Sequence, residues 1–151
     1  MPSGKIHVNY YKKFLPITVI IGLLLTLSVD IISAIMFVTG YFMGYYVEPD
    51  LDQIGITTSE GNAMRNFGIF GTLWVMYWFP YGYVLQHRSF ISHFPFISTL
   101  FRLGYLFCIP ALFALYYKLN INWNIVGDMF LWLWIGLGIS DTIHYILDKN
   151  F

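Results

Sequence analysis

The stretch NFGIFGTLWVMYWFPYGYVL, residues 66–85, decides how the remaining chain must be arranged. It is long and apolar enough to cross a bilayer, yet Trp74, Tyr77, Trp78, Phe79, Tyr81 and Tyr83 crowd around Pro80. Such aromatic density suits the membrane interface, where amphipathic rings sit among headgroups. Directly after it comes His87-Arg88-Ser89-Phe90-Ile91-Ser92-His93, which sets two imidazoles, a guanidinium and two hydroxyls within seven residues. Whether 66–85 spans or lies in the membrane plane fixes the side on which that polar stretch emerges.

Working outward, the composition is that of a membrane protein. Of 151 residues, 58% are hydrophobic and 21% aromatic, while 11% are charged; soluble domains carry roughly 25% charged residues. The apolar runs are continuous rather than alternating, which selects helices over a barrel. They leave no room for a separate soluble domain, so residues 1–151 are read as one all-α, polytopic, membrane-embedded helical bundle. The formal net charge is zero, with no basic tract to follow a nucleic-acid backbone. Nucleic acid is therefore excluded as a partner, and membrane lipid is expected. The single cysteine, Cys108, lies between Phe107 and Ile109 and reads as a small hydrophobe. Lys5, Lys12 and Lys13 precede an apolar run from Phe14, the outline of a signal peptide, but Ser28-Val29-Asp30 is a poor cleavage site. The run is read as an uncleaved segment.

Residues 1–13 are expected to be a polar surface lead-in, cytoplasmic by the positive-inside rule. From Phe14 to Val47 a single helix would be about 50 Å long, against a hydrocarbon core of about 30 Å. Two short helices joined near Ser28-Val29-Asp30 fit better. Gly40 and Gly44 would let a neighbouring helix approach closely. In Glu48-Pro49-Asp50-Leu51-Asp52-Gln53, an extended backbone would point both aspartates into one site. Residues 54–65 read as a loop. Phe96–Tyr117 is a spanning helix with Pro110 as a kink site, 118–124 a short connection, and a last helix runs from about Ile125 to near Asp148. That helix sets Asp141, His144 and Asp148 at spacings of three and four, on one face of its final turns. Asp30 and Asp128 are taken as turn or interface residues.

Parity tests whether these clusters meet. Two crossings return the chain to the cytoplasmic side at Glu48 to Gln53. If 66–85 spans, His87 to His93 emerges opposite the acidic loop. If it lies in the interface or re-enters, the stretch stays on the cytoplasmic side, and two further crossings bring Asp141, His144 and Asp148 back. Four spanning helices plus one in-plane aromatic segment are therefore expected in an integral inner- or plasma-membrane protein, although hydropathy alone favours five spans. Arg65, Arg88 and Arg102 bias the same face mildly toward the cytoplasm.

The candidate metal ligands are His7, Asp50, Asp52, His87, His93, Asp141, His144 and Asp148. Imidazole and carboxylate together suit a divalent transition metal, zinc foremost, with iron or manganese as alternatives, and the donor number accommodates one ion or two. Paired ions about 4 Å apart could bridge a phosphoryl oxygen and activate water. Arg88 would then hold an anionic oxygen by a bidentate contact, with Ser89 and Ser92 orienting ligands or substrate. Taken singly, His7 reads as a solvated surface residue, Asp50 and Asp52 as loop residues, and the two histidines six apart match no single helix face. Asp141, His144 and Asp148 resist that dismissal, because ionisable groups in an apolar helix are costly unless paired or coordinated. All four histidines and five of the eight acidic residues fall in four short segments that one membrane face can collect.

Ser3-Gly4-Lys5 with His7, Pro49-Asp50-Leu51-Asp52, His87-Arg88-Ser89 with Ser92-His93, and His144 followed by Asp148 resemble the pattern of a family of small metal-binding membrane proteins of unknown function. That family is similar to bacterial inner-membrane proteins described as metal-dependent hydrolases. The resemblance spans nearly the whole chain in the same order. It implies His7, Asp50, Asp52, His87, His93, His144 and Asp148 as ligand candidates. Where the family commonly has an aspartate directly after the first histidine, this chain has Val8, leaving Asp141 or Glu48 to compensate.

Two functions compete at this level. One is a membrane-embedded hydrolase acting on a lipid-like amphiphile with a phosphate or ester headgroup, with Arg88, Ser89 and Asp141 in catalytic roles. The other is a non-catalytic membrane subunit or interaction protein whose metal staples helices. A structural ion is saturated by protein donors, whereas a catalytic one keeps an open position. Metal transport fits less well, because the ionisable groups gather at one side instead of along a path.

Overall fold

A computed structural model describes residues 4–47, 49–52, 55–85 and 94–150, without the side chains of residues 4–8, 11 and 150. Among the described residues there are six α-helices, one 3₁₀ turn and no strand. The helices are α1 (Gly4–Ser28), α2 (Ile31–Met43), α3 (Thr58–Phe67), α4 (Ile69–Val84), α5 (Ile97–Tyr116) and α6 (Trp123–Asn150), with the 3₁₀ turn at Pro49–Asp52.

The junction of α1 and α2 falls where the sequence placed it, and Asp30 explains why. Its extended backbone makes it the N-cap of α2: one carboxylate oxygen accepts from the Ser33 amide at 2.9 Å and the other from the Ser33 hydroxyl at 2.6 Å. Two donors are thereby satisfied where the chain reverses. Residues 4–13 of the expected polar lead-in are helical and open α1, with Asn9, Lys12 and Lys13 exposed.

Small residues lock α2 to α6. A Cβ at Gly40 would collide with the Leu133 carbonyl, one at Gly44 with the Ser140 side chain, and one at Gly136 with the Phe37 carbonyl. Both helices thus contribute small residues to one seam, and dispersion contacts between the close backbones hold them. Residue numbers rise together along the seam, so α2 and α6 run parallel and their C-terminal ends lie at the same end of the bundle. By contrast, α5 runs antiparallel to α6: Thr99 meets Asp141, while Phe107 meets Phe130.

The expected loop over 54–65 is replaced by α3. Thr57 and Glu60 form a reciprocal capping box, with the Thr57 amide donating to the Glu60 carboxylate at 2.8 Å and the Glu60 amide to the Thr57 hydroxyl at 3.2 Å. That motif initiates a helix even in a polar segment. The decisive stretch 66–85 is accordingly broken. Gly68, at φ +57° and ψ −122°, separates α3 from α4 in a conformation open to glycine.

Helix α4 keeps to the end of the bundle where α2 terminates. Gly71 and Trp74 lie beside Met43 and Val47. Tyr77 and Tyr105 exchange hydrogen bonds, each hydroxyl donating to the other's carbonyl at 2.7 Å. Trp78 and Tyr81 then join Val47, Leu51, Leu103, Leu133 and Leu137 in the buried core.

Among the described residues two helices, Ile97–Tyr116 and Trp123–Lys149, are long and apolar enough to cross a membrane. The other apolar helices fall short of that length: α2 has 13 residues, about 20 Å of rise, and α4 has 16, about 24 Å. In α1 the apolar run begins only at Phe14. Large apolar side chains nonetheless face outward along the bundle, among them Leu27 on α1, Ile35 on α2, Phe70 on α4 and Leu112 on α5.

Candidate metal centre

Among the described residues, Asp50 of the 3₁₀ turn meets His144 and Asp148 of α6. The Pro49–Asp52 segment is a 3₁₀ turn rather than extended backbone. Asp50 is half-buried and turns toward α6, while Asp52 is fully buried and shares the surroundings of Tyr81 with Arg102 and Asp141.

On α6 the three- and four-residue spacing does what a helix dictates. Asp141, His144 and Asp148 occupy one face near its C-terminal end. His144 is buried, with Nε2 3.2 Å from Oδ2 of Asp148 and 3.8 Å from Oδ2 of Asp50. One donor atom each from Asp50, His144 and Asp148 lies within 4.8 Å of the others, a spacing that a single ion bridges. Two carboxylates and an imidazole form the hard-to-borderline donor set of zinc, iron or manganese. The buried imidazole beside two carboxylates is an arrangement that a cation in their midst would stabilise. The residues present therefore fit a metal.

The whole chain, residues 2–151, matches the model of a family described as uncharacterized metal-binding protein (DUF2227). The chain belongs to that family. No curated protein and no solved structure matches it. Metal binding is thus a family property, and the described residues include one Asp/His/Asp cluster that could hold an ion.

Asp141 has a different set of partners. Its Oδ2 accepts from Arg102 and from the Thr99 hydroxyl, all three side chains fully buried. Its Oδ1 is buried without a hydrogen-bond partner among the described residues. Arg102 also donates to the Val47 carbonyl, to the Ser98 carbonyl at 3.4 Å and to the Ser98 hydroxyl at 3.3 Å. The carboxylate assigned a catalytic role is engaged in a buried ion pair.

His87, Arg88, Ser89, Ser92, His93 and Glu48 lie outside the described residues, as does the side chain of His7. Their flanks are at the same end: Leu85 closes α4 and lines a groove with Leu100 of α5, and the Phe94 ring meets Tyr145, the neighbour of His144. The backbone of residue 7 belongs to the N-terminal part of α1, where Lys12 lies near Tyr45 and Tyr46 beyond the end of α2. Sequence reading used Arg102 only as a topological bias and passed over Thr99. The missed signal was the lone arginine of the apolar α5 and, on α6, Asp141 set back from the helix end, charges that such helices keep only in pairs.

Proposed function

We propose that this protein is a membrane-embedded, metal-dependent hydrolase acting on an amphiphile with a phosphate or ester headgroup. The observation that carries the reading is the Asp50, His144 and Asp148 cluster at one end of a bundle that exposes apolar side chains along its length. Outward-facing apolar surface on this scale favours a lipid environment. A polar centre at the bundle's end would then meet headgroups and not acyl chains.

Asp50, His144 and Asp148 would hold a divalent ion, zinc foremost, and three protein donors are the number a catalytic ion takes when one position stays open. The ion would supply Lewis acidity toward a phosphoryl or ester oxygen. Arg88 and Ser89 are assigned to the anionic headgroup, and His7, Asp52, His87 and His93 to further ligation, a donor number that accommodates a second ion. By the lysines of α1, this end faces the cytoplasm of an inner or plasma membrane.

The test is a panel of phosphate- and ester-bearing amphiphiles presented in mixed micelles to metal-loaded protein. Headgroup release that falls at least about 100-fold in Asp50→Asn and His144→Ala supports the hydrolase. A loaded protein that turns over nothing, and that unfolds when the metal is chelated, supports a structural metal in a non-catalytic membrane subunit instead.

A further inference from the structure

We propose that Arg102 is a positioning residue for the metal centre, setting the distance between the turn that carries Asp50 and the helix that carries His144 and Asp148. This rests on the reading of those three residues as ligands.

The ligands come from two separate pieces of chain. Asp50 belongs to the 3₁₀ turn after α2, and His144 and Asp148 belong to α6. No ligand sits on α5, yet a side chain of α5 joins the two pieces. One arm of the Arg102 guanidinium donates to the carbonyl of Val47, three residues before Asp50. The other arm donates to the carboxylate of Asp141, three residues before His144 and on the same helix face. The remaining donors reach back to Ser98 on α5 itself.

A guanidinium is planar and holds its donors in a fixed fork, so it spaces its two acceptors rigidly. Thr99 donates to the same Asp141 oxygen and fixes the far end of the link. Arg102, Thr99 and Asp141 are fully buried, where the pairing is shielded from water and its geometry is held by packing. The fork therefore transmits the register of α6 to the turn bearing Asp50. The alternative role, a buried ion pair that merely holds the bundle together, would set stability but not the geometry of the centre.

Two variants separate these roles. In the double variant Arg102→Leu with Asp141→Leu, both charges are removed together, a replacement that buried ion pairs commonly tolerate. Arg102→Lys keeps the charge beside Asp141 but has no fork to reach Val47. Each is compared with wild type, with Asp50→Ala and with His144→Ala by circular dichroism, by titration with cobalt(II), and by the visible spectrum of the bound cobalt. Folded variants that bind cobalt about 10- to 100-fold more weakly, with a displaced ligand-field spectrum, are the expected result. Wild-type affinity and spectrum in folded Arg102→Lys overturn the positioning role, and Arg102→Lys decides the matter if the double variant does not fold. If wild type takes up no cobalt, or takes it up unchanged in Asp50→Ala and His144→Ala, the metal centre itself is wrong.

Discussion

Oδ2 of Asp50 lies 3.8 Å from Nε2 of His144, although the two residues stand 94 positions apart in the chain. Asp50 arrives by a 3₁₀ turn and His144 by the last helix, and the parallel packing of α2 on α6 sets the ends of both at one end of the bundle. The centre consequently depends on a seam of small residues one to two turns away.

That dependence makes the seam testable. Gly40→Leu and Gly136→Val each place side-chain atoms against backbone of the opposite helix, where no flexible group can give way. Overpacking typically costs 1–3 kcal/mol, and a collision with backbone belongs at or above the upper end. Unfolding in detergent should show a loss of about 3 kcal/mol or more, accompanied by loss of metal.

The buried pair makes a contrasting prediction. Asp141→Ala leaves the Arg102 guanidinium buried beside Val47 and Ser98 without its counter-charge. Breaking one partner of such a pair costs roughly 3–5 kcal/mol. The same unfolding measurement should place Asp141→Ala well below the double leucine variant in stability.

At the start of α3, Thr57→Ala removes the oxygen that accepts from the Glu60 amide. Loss of about 1 kcal/mol is expected, with metal affinity unchanged, because neither capping residue belongs to the ligand trio. Parallel unfolding and metal titrations check both halves.

Asp30 sets a pH dependence at the α1–α2 junction. The Ser33 hydroxyl, and then the Ser33 amide, hold its carboxyl below the ordinary value of 3.8. A depressed carboxyl contributes stability that is complete above the unfolded value and disappears as pH falls through the folded one. Acid titration of wild type should therefore show a small loss of stability below about pH 4 that is absent in Asp30→Ala, measured by the unfolding midpoint across pH 2–6.

Much of this arrangement was legible beforehand. Gly40 and Gly44 announced a close helix contact, the break at Ser28-Val29-Asp30 placed the α1–α2 reversal, and spacing alone put Asp141, His144 and Asp148 on one face. The capping box at Thr57 and Glu60 was also written in the chain, but a polar composition obscured it and the segment read as loop. Gly68 is subtler, because glycine is common in membrane helices and only its positive φ reveals a break. The partner of Asp141 was hidden for a different reason. Pairing between α5 and α6 is long-range, and sequence shows the two charges without the antiparallel packing that joins them. The backbone of the acidic pair was not legible: Asp50 and Asp52 lie in a 3₁₀ turn rather than on extended backbone.

The most direct test is anomalous scattering at the zinc edge from crystals of the protein grown with zinc. A difference peak within coordination distance of Asp50, His144 and Asp148 is the expected result. Zinc bound elsewhere, with those three side chains paired only to one another, would contradict the metal centre.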